Sequence, residues 1–173
     1  LANAVSYDRI AGYFSSSILE IAGEAIEKIE GQIRVVCNSE LQKEDLLTAQ
    51  AAVAAMRREW CSKKPEEIYS NAPERLRKLY DLIKSGKLQI KVLPNDVFGL
   101  IHGKAGVITL KDGRKTAFIG SVNETYSGWK LNYEILWEDD SEEGVKWVQE
   151  EFDYFWNTPY AVPLGEFIVE DLK

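Results

Sequence analysis

Short β-branched runs alternate along this chain with longer stretches of helical apolar spacing, and this alternation constrains the fold more than any other feature. The short runs predict strands over residues 7–14, 33–37, 88–93, 101–110, 116–121 and 131–137. Helices are predicted from a capping box at Ser17 to Gly31, over residues 43–60, from Pro73 to Gly86 and after Ser141. The pattern predicts the α/β class, with a mixed β-sheet sandwiched between helices.

Two of the predicted strands are joined by a tight turn. The connection reads Lys111-Asp112-Gly113-Arg114, and Asp-Gly is a strong hairpin signal. A hairpin pairs its strands antiparallel, whereas strands separated by helices usually pair in parallel. The sheet is therefore expected to be mixed.

The last predicted helix carries several aromatic side chains that invite two interpretations. They could form a platform on which nucleic-acid bases stack. Their helical spacing is more typical of core packing, which we predict for Trp147, Phe152, Phe155 and Trp156.

The size and cysteine content of the chain indicate its general class. We interpret residues 1–173 as a single domain excised from a longer protein. No apolar run approaches the roughly 18 residues of a membrane span, so we expect no membrane partner. Cys37 and Cys61 are far apart in sequence and predict buried or reduced thiols in a cytoplasmic protein.

The charge of the chain leaves a nucleic-acid partner open. A net charge of −7 argues against a free-standing nucleic-acid binder, because phosphates are usually met by a basic face. Two basic clusters could still line a local groove, although each is more typical of a solvated helix face. They are Arg57, Arg58, Lys63 and Lys64, and then Arg75, Arg77 and Lys78.

The position of the only histidine is the most informative chemical feature. His102 and Lys104 are two residues apart in a predicted strand, so their side chains should project from the same face. Ser121 and Asn123 repeat this spacing one strand later, and Glu134 follows after another strand. Each of these residues alone is more typical of a structural or surface role; their joint order favours a site.

The five side chains suit phosphoryl transfer. The reaction needs a nucleophile and donors for the phosphate oxygens, because positioning and charge stabilisation dominate it. A neutral imidazole can attack phosphorus and form a phosphohistidine. A carboxylate on the other ring nitrogen fixes the tautomer. This chemistry requires no metal and no cofactor.

The same residues resemble a known family. His102-Gly103-Lys104, Gly120-Ser121-Val122-Asn123 and Asn132-Tyr133-Glu134 resemble the HKD motif of the phospholipase D superfamily. Its members carry H-x-K, a short strand, G-S-x-N and an acidic residue about one strand later. The resemblance covers roughly residues 100–137, and elsewhere it rests on the α/β pattern.

The resemblance implies a role for each residue. His102 would be the nucleophile or its acid partner, Lys104 and Asn123 would hold the phosphate, Ser121 would support the site, and Glu134 would orient an imidazole. One position departs from the family, which usually has Asp five residues after the lysine. Here that position is Thr109, and Asp112 lies in the predicted turn.

The resemblance also implies an activity and its partners. It predicts a metal-independent phosphodiesterase that is a nuclease, with DNA as the first expected substrate. The family mechanism uses two histidines, and this chain has one. We expect the second from a homodimer, and the alternative is another motif beyond Lys173. Finer similarity, through Tyr13-Phe14-Ser15 and Trp129, is to domains that precede helicases in prokaryotic restriction or defence proteins.

Two other functions stay open at this stage. A lipid phosphodiesterase would need an apolar membrane-facing surface, and the sequence has no amphipathic basic helix to supply one. A non-catalytic module that only binds phosphate or nucleic acid is favoured by Thr109 and by the acidic charge balance.

Overall fold

A mixed β-sheet forms the centre of the molecule in a computed structural model, which describes residues 1, 3–57 and 72–166. Its strands are β1 (Ala4–Ile10), β2 (Ile33–Asn38), β3 (Leu88–Leu93), β4 (Lys104–Leu110), β5 (Lys115–Gly120), β6 (Leu136–Asp139) and β7 (Val162–Pro163). Their order is β6-β5-β4-β1-β2-β3-β7. Strands β1, β2 and β3 are parallel, and the remaining neighbours are antiparallel. The predicted mixed α/β sheet is confirmed.

Helices cover both faces of the sheet. They are α1 (Leu19–Lys28), α2 (Lys43–Arg57), α3 (Glu74–Lys84), α4 (Asn95–Phe98), α5 (Tyr126–Lys130) and α6 (Glu142–Asn157). Side chains alternate along each strand, so β2 places Val35 and Cys37 against α1, α2 and α3, and Val36 against α6. No helix in the described part of the chain is long and apolar enough to cross a membrane.

The core predicted for the last helix is confirmed in part. Phe152 and Trp156 are buried against the sheet and stack on each other, and Phe155 is partly buried. The prediction was wrong for Trp147, which is 54% exposed. The helix begins where predicted, because the Ser141 hydroxyl accepts a hydrogen bond from the Gly144 amide at 3.1 Å.

The first helix does not begin with the predicted capping box. A 3₁₀ turn, Ser16–Ile18, precedes α1, and the Ser15 hydroxyl caps it by accepting from the Ser17 amide. The Ser17 hydroxyl instead accepts from the Tyr126 amide at 3.1 Å. The helix ends at Lys28, before the predicted stop at Gly31. The predicted end of the second helix at residue 60 lies outside the described residues.

Three predicted strands extend three to five residues too far toward one end of the sheet. The first ends at Ile10 instead of residue 14, the fourth begins at Lys104 instead of residue 101, and the last begins at Leu136 instead of residue 131. In each case the residues left out of the strand lie at the same end of the sheet. There the chain leaves the regular hydrogen-bond ladder and forms loops.

The hairpin between β4 and β5 is confirmed. Gly113 has a φ of 86°, a conformation that side-chain-bearing residues rarely adopt. The Gly113 amide donates to the Leu110 carbonyl at 2.9 Å, which closes the turn. The hairpin sets the register in which Lys104 lies opposite Gly120, at the far end from the turn.

Candidate active site

The loops with polar motif residues meet at one end of the sheet because of the strand directions. Ile10 at the end of β1 pairs with Val36 near the end of β2 and with Ala105 near the start of β4. Gly120 at the end of β5 pairs with Lys104 and with Leu136 at the start of β6. The segments that follow β1, β2 and β5, and those that precede β4 and β6, therefore share this end.

His102 lies in the loop before β4, where its side chain is exposed. The prediction that it shares a strand face with Lys104 was wrong, because the strand begins only at Lys104. Asn38, which is buried at the end of β2, binds Ile101, the residue before His102. Its Nδ2 donates to the Ile101 carbonyl at 2.9 Å, and its Oδ1 accepts from the Ile101 amide at 3.0 Å. Both backbone groups of the residue next to His102 are thereby fixed.

Lys104 and Asn123 approach each other beside Gly12. A methyl group placed on Gly12 would lie 3.0 Å from Lys104 Nζ and 3.2 Å from Asn123 Oδ1. The absence of a side chain at this position thus leaves room for both groups. Lys104 Nζ also donates to the His102 carbonyl at 2.8 Å. The lysine, the amide and the loop of the histidine therefore meet in one place.

The orientation of the Asn123 side chain follows from its backbone contact. Asn123 Oδ1 accepts a hydrogen bond from the Tyr13 amide at 3.0 Å. The oxygen is thus occupied, and the Nδ2 group is the part that can donate to a ligand. A lysine ammonium has three donors, so Lys104 also keeps donors beyond its contact with His102. The pair is suited to the oxygens of an anion such as phosphate.

Ser121 and Glu134 form a second polar pair. The Ser121 hydroxyl donates to Glu134 Oε2 and accepts from the Ile135 amide at 3.1 Å. The two residues lie in the loops after β5 and before β6, so the predicted strand face shared by Ser121 and Asn123 was wrong. Ser121 contacts Glu134, whereas Asn123 contacts Tyr13.

A buried ion pair under the motif loop was not predicted from the sequence. Arg9 Nε lies 2.7 Å from Glu124 Oε1, and Arg9 Nη2 donates to the Val122 carbonyl. Tyr7 donates its hydroxyl to the same Glu124 oxygen at 2.9 Å. Burial, followed by the charge of Glu124, raises the pKa of Tyr7, so the phenol stays a donor. The available signal was a pair of adjacent charges, Asp8 and Arg9, inside a predicted strand.

Thr109, the residue that departs from the family pattern, lies far from the candidate site residues. Thr109 is paired with Lys115 near the hairpin end of β4. Five strand residues separate it from Lys104, which corresponds to about 17 Å. The side chain at this position is therefore remote from Lys104 and supports the strand pair.

The basic clusters have different outcomes. Arg58, Lys63 and Lys64 lie outside the described residues, as does the side chain of Arg57. In the second cluster, Arg75 is bound to Glu44 at 2.6 Å and to Glu20 at 3.2 Å, and so does not line an open groove. Lys78 lies 3.2 Å from Glu74 on its own helix.

The cysteines and potential metal ligands complete the description. Cys37 is buried, as predicted, and this burial raises the pKa of its thiol to about 12, so the thiol is inert. Cys61 lies outside the described residues. No group of three or more His, Cys, Asp or Glu side chains in residues 1, 3–57 and 72–166 is arranged to hold a metal ion.

Comparison with known protein families gives a match over most of the chain. The model of a family described as "Cardiolipin synthase, PLD-like domain" matches residues 1–156. This span contains strands β1 to β6 and all five candidate site residues. A comparison with curated proteins found no match.

Proposed function

This chain belongs to the phospholipase D-like family, a phosphodiesterase-type superfamily, and we propose that it is a nuclease that hydrolyses phosphodiester bonds of DNA without a metal. The observation that carries the proposal is the meeting of Lys104 and Asn123 beside the His102 loop. An ammonium and an amide donor beside the loop that carries the imidazole support this proposal, because phosphoryl transfer needs donors for the phosphate oxygens close to a nucleophile.

The proposed reaction proceeds in two displacements. His102 attacks phosphorus as a neutral imidazole, an N–P bond forms, and the bond from phosphorus to the leaving oxygen breaks. Lys104 and Asn123 stabilise the negative charge on the phosphate oxygens. A water molecule then attacks phosphorus, and the N–P bond breaks to release the phosphate product and free His102. Glu134 is proposed to orient an imidazole in the completed site.

The reaction requires a second imidazole. The leaving oxygen needs a proton in the first step, and water must lose one in the second; a general acid-base group contributes about a hundredfold to ten-thousandfold in rate. His102 is the only histidine of the chain. We propose that a second copy supplies the other one across a two-fold axis, because such an axis brings identical motifs together.

The edge of the sheet beside the site offers a surface for this second copy. Tyr133, Ile135 and Trp137 are 94%, 67% and 69% exposed, and β6 is the last strand on its side of the described sheet. Exposed apolar side chains grouped on an edge strand and its adjoining loop typically mark an interface. Tyr133 and Ile135 flank Glu134, and Trp137 is three residues beyond it, so a partner bound here would lie next to the site.

The wider context of the proposed nuclease rests on the motif similarity described above. We propose that the domain works beside a helicase of a restriction or defence protein in the cytoplasm. The resemblance of Tyr13-Phe14-Ser15 and Trp129 to such domains supports this context.

Hydrolysis of DNA by purified protein tests the proposed function. We expect His102→Ala to abolish cleavage, by about a thousandfold or more, and excess EDTA to leave the wild-type rate unchanged. Because His102 is exposed, its substitution should alter the free energy of unfolding by less than about 0.5 kcal/mol. Cleavage that stops when EDTA is added would refute the metal-independent mechanism.

The same assay separates the proposal from the alternative of a non-catalytic module. The single histidine is the observation that favours that alternative. A module of this kind binds DNA without cleaving it. In that case His102→Ala should change the DNA affinity by no more than a few fold, and neither protein should cleave DNA. Preferred turnover of phosphatidylcholine vesicles over DNA would instead indicate a lipid phosphodiesterase.

A further inference from the structure

A buried salt bridge lies directly beneath the loop that carries Asn123. Arg9 is 1% exposed and comes from the central strand β1, whereas Glu124 is 4% exposed and follows Asn123 in sequence. The Arg9 guanidinium lies 4.9 Å from the centroid of the Phe118 ring, which packs against it. The pair is thus removed from water. A buried ion pair orients its two partners strongly but contributes little net stability.

Arg9 contacts the loop on both sides of Asn123, at Val122 and at Glu124. On one side, Arg9 Nη2 donates a hydrogen bond to the Val122 carbonyl; on the other, Arg9 Nε lies 2.7 Å from Glu124 Oε1, an ion-pair contact without hydrogen-bond geometry. The backbone of Glu124 is held too, because its carbonyl accepts from the Ser15 amide at 3.0 Å. Both neighbours of Asn123 are therefore held, in addition to its own carbonyl, which accepts from the Thr125 amide at 2.8 Å.

We propose that the buried Arg9–Glu124 pair is a positioning device that sets the Asn123 side chain for phosphate binding. Arg9 supplies one hydrogen bond to the loop backbone and one ion-pair contact to Glu124 from a rigid, planar guanidinium, which a lysine ammonium does not offer. Tyr7 adds a third constraint by donating to Glu124. Neither charged group reaches the phosphate; each acts through the loop between Ser121 and Glu124.

The structure provides a direct reporter of this positioning. The Tyr13 amide donates to Asn123 Oδ1, so the rate at which this amide exchanges its hydrogen reports where the Asn123 side chain lies. The reporter needs no substrate. It therefore tests the inference independently of the proposed nuclease activity, on which only the functional consequence rests.

The decisive variant replaces both charges with apolar side chains of similar volume. Exchanging a buried ion pair for an apolar pair is often neutral for stability, so Arg9→Met/Glu124→Leu should fold, with an unfolding temperature only moderately below that of wild type because the buried Tyr7 hydroxyl is left without its acceptor. We expect the Tyr13 amide to exchange about tenfold faster, since one hydrogen bond is lost. With bis(p-nitrophenyl) phosphate as the probe, we expect kcat to fall about tenfold to a hundredfold.

A second ion pair that also involves β1 supplies the matched control. Arg34 and Asp8 form a bidentate pair at 2.7 and 2.6 Å on the opposite face of the sheet, next to Phe152. The double variant Arg34→Met/Asp8→Leu should leave both Tyr13 exchange and kcat within about twofold of wild type. An equal effect of the two double variants would show a general weakening of β1 and would overturn the inference.

The remaining outcomes also support or overturn the proposed positioning role. Wild-type Tyr13 exchange in a folded Arg9→Met/Glu124→Leu protein would overturn the inference. If that protein does not fold, Arg9→Lys keeps the charge without the planar fork; faster Tyr13 exchange then supports the inference, and unchanged exchange overturns it. A wild-type protein that lacks activity on the probe would refute the proposed function alone, because the exchange measurement still tests the positioning.

Discussion

Several single residues support the proposed chemistry indirectly, because they fix the backbone or leave the space that the candidate site residues need. Asn38 binds both the amide and the carbonyl of Ile101, and Gly12 leaves space for Lys104 and Asn123. Groups that are to react with phosphate must keep their geometry to within about half an ångström, and second contacts of this kind provide it. The exposed His102 depends on such support because the described residues give it no strand of its own.

Replacement of Asn38 tests this support. Asn38→Ala removes two hydrogen bonds and leaves both backbone groups of Ile101 unpaired, so we expect a loss of about 1–3 kcal/mol in the free energy of unfolding. Because the His102 loop loses its anchor, kcat on DNA should fall about tenfold to a hundredfold. Chemical denaturation and single-turnover kinetics measure the two effects.

The neighbouring Cys37→Ala variant separates support from stability. Cys37 is buried on the same strand and contacts the core rather than the site. Its truncation should destabilise the fold by a similar amount and leave kcat within about twofold. If both variants lose the same activity, the loss follows stability and Asn38 has no positioning role.

The sequence predicted the reactive residue types but not their supports. His102, Lys104, Ser121, Asn123 and Glu134 stand out because polar groups recur at motif spacing in short apolar runs. Asn38, Arg9 and Glu124 gave no comparable pattern. Their contacts depend on the pairing of strands that are distant in sequence, which local spacing does not encode.

At the scale of elements, strands were predicted better than their ends. The hydrophobic pattern specifies strands such as β3 because Leu88, Ile90 and Val92 alternate with polar residues and pack on one face against the core. The ends facing the site were wrong because apolar residues continue into the loops. Ile101, for example, continues the apolar pattern of β4, yet its backbone binds the side chain of Asn38.

The junction of α1, α2 and α3 contains a buried carboxyl group with a clear electrostatic signature. Asp45 accepts from the Ser16 amide at 2.8 Å, and Arg75 donates to the Ser16 hydroxyl at 2.6 Å. Burial raises the pKa of Asp45, and its contacts with Ser16 and Arg75 offset only part of this rise. Ionisation of Asp45 is therefore less favourable in the folded chain than in the unfolded one.

The stability of Asp45→Asn relative to wild type should depend on pH. A carboxyl group with a raised folded pKa stabilises the fold below its unfolded pKa, about 3.9, and this contribution is lost as pH rises through the folded pKa. The carboxamide introduced by the substitution stays neutral at every pH, and its oxygen can still accept from the Ser16 amide. We expect urea denaturation to show the variant gaining on wild type from about pH 4 to pH 8. A wild-type protein that gains on the variant over this range would contradict the assignment.

At the scale of the whole molecule, the exposed apolar edge beside the site requires an explanation. Ile119, opposite Trp137 in the sheet, is also exposed, which extends the surface onto β5. The sequence predicted a homodimer from its single histidine, and it could not predict which surface would form the interface. That surface depends on which edge of the sheet the strand order leaves open.

A charged residue at this edge should dissociate the proposed dimer. Trp137→Glu places a carboxylate where a large apolar group would be buried, and central aromatic residues of interfaces contribute about 2–4 kcal/mol. We expect the dimer dissociation constant from sedimentation equilibrium to rise about thirtyfold or more, with activity lost in parallel.

Tyr154→Glu is the matched control, because Tyr154 is 64% exposed and belongs to α6 rather than to the edge strand β6. It should leave the dissociation constant within about twofold. Equal weakening by both substitutions would place the interface elsewhere, and a monomeric wild-type protein at micromolar concentration would exclude the dimer.

The shared site has a quantitative consequence for mixed dimers. Wild-type and His102→Ala chains are refolded together at several ratios and constant total concentration, and the rate of DNA cleavage is measured. If each site needs a histidine from both copies, the rate follows the square of the wild-type fraction, so an equal mixture retains about a quarter of the activity. A rate proportional to that fraction, about half for the equal mixture, would show that each copy acts alone and would contradict the shared site.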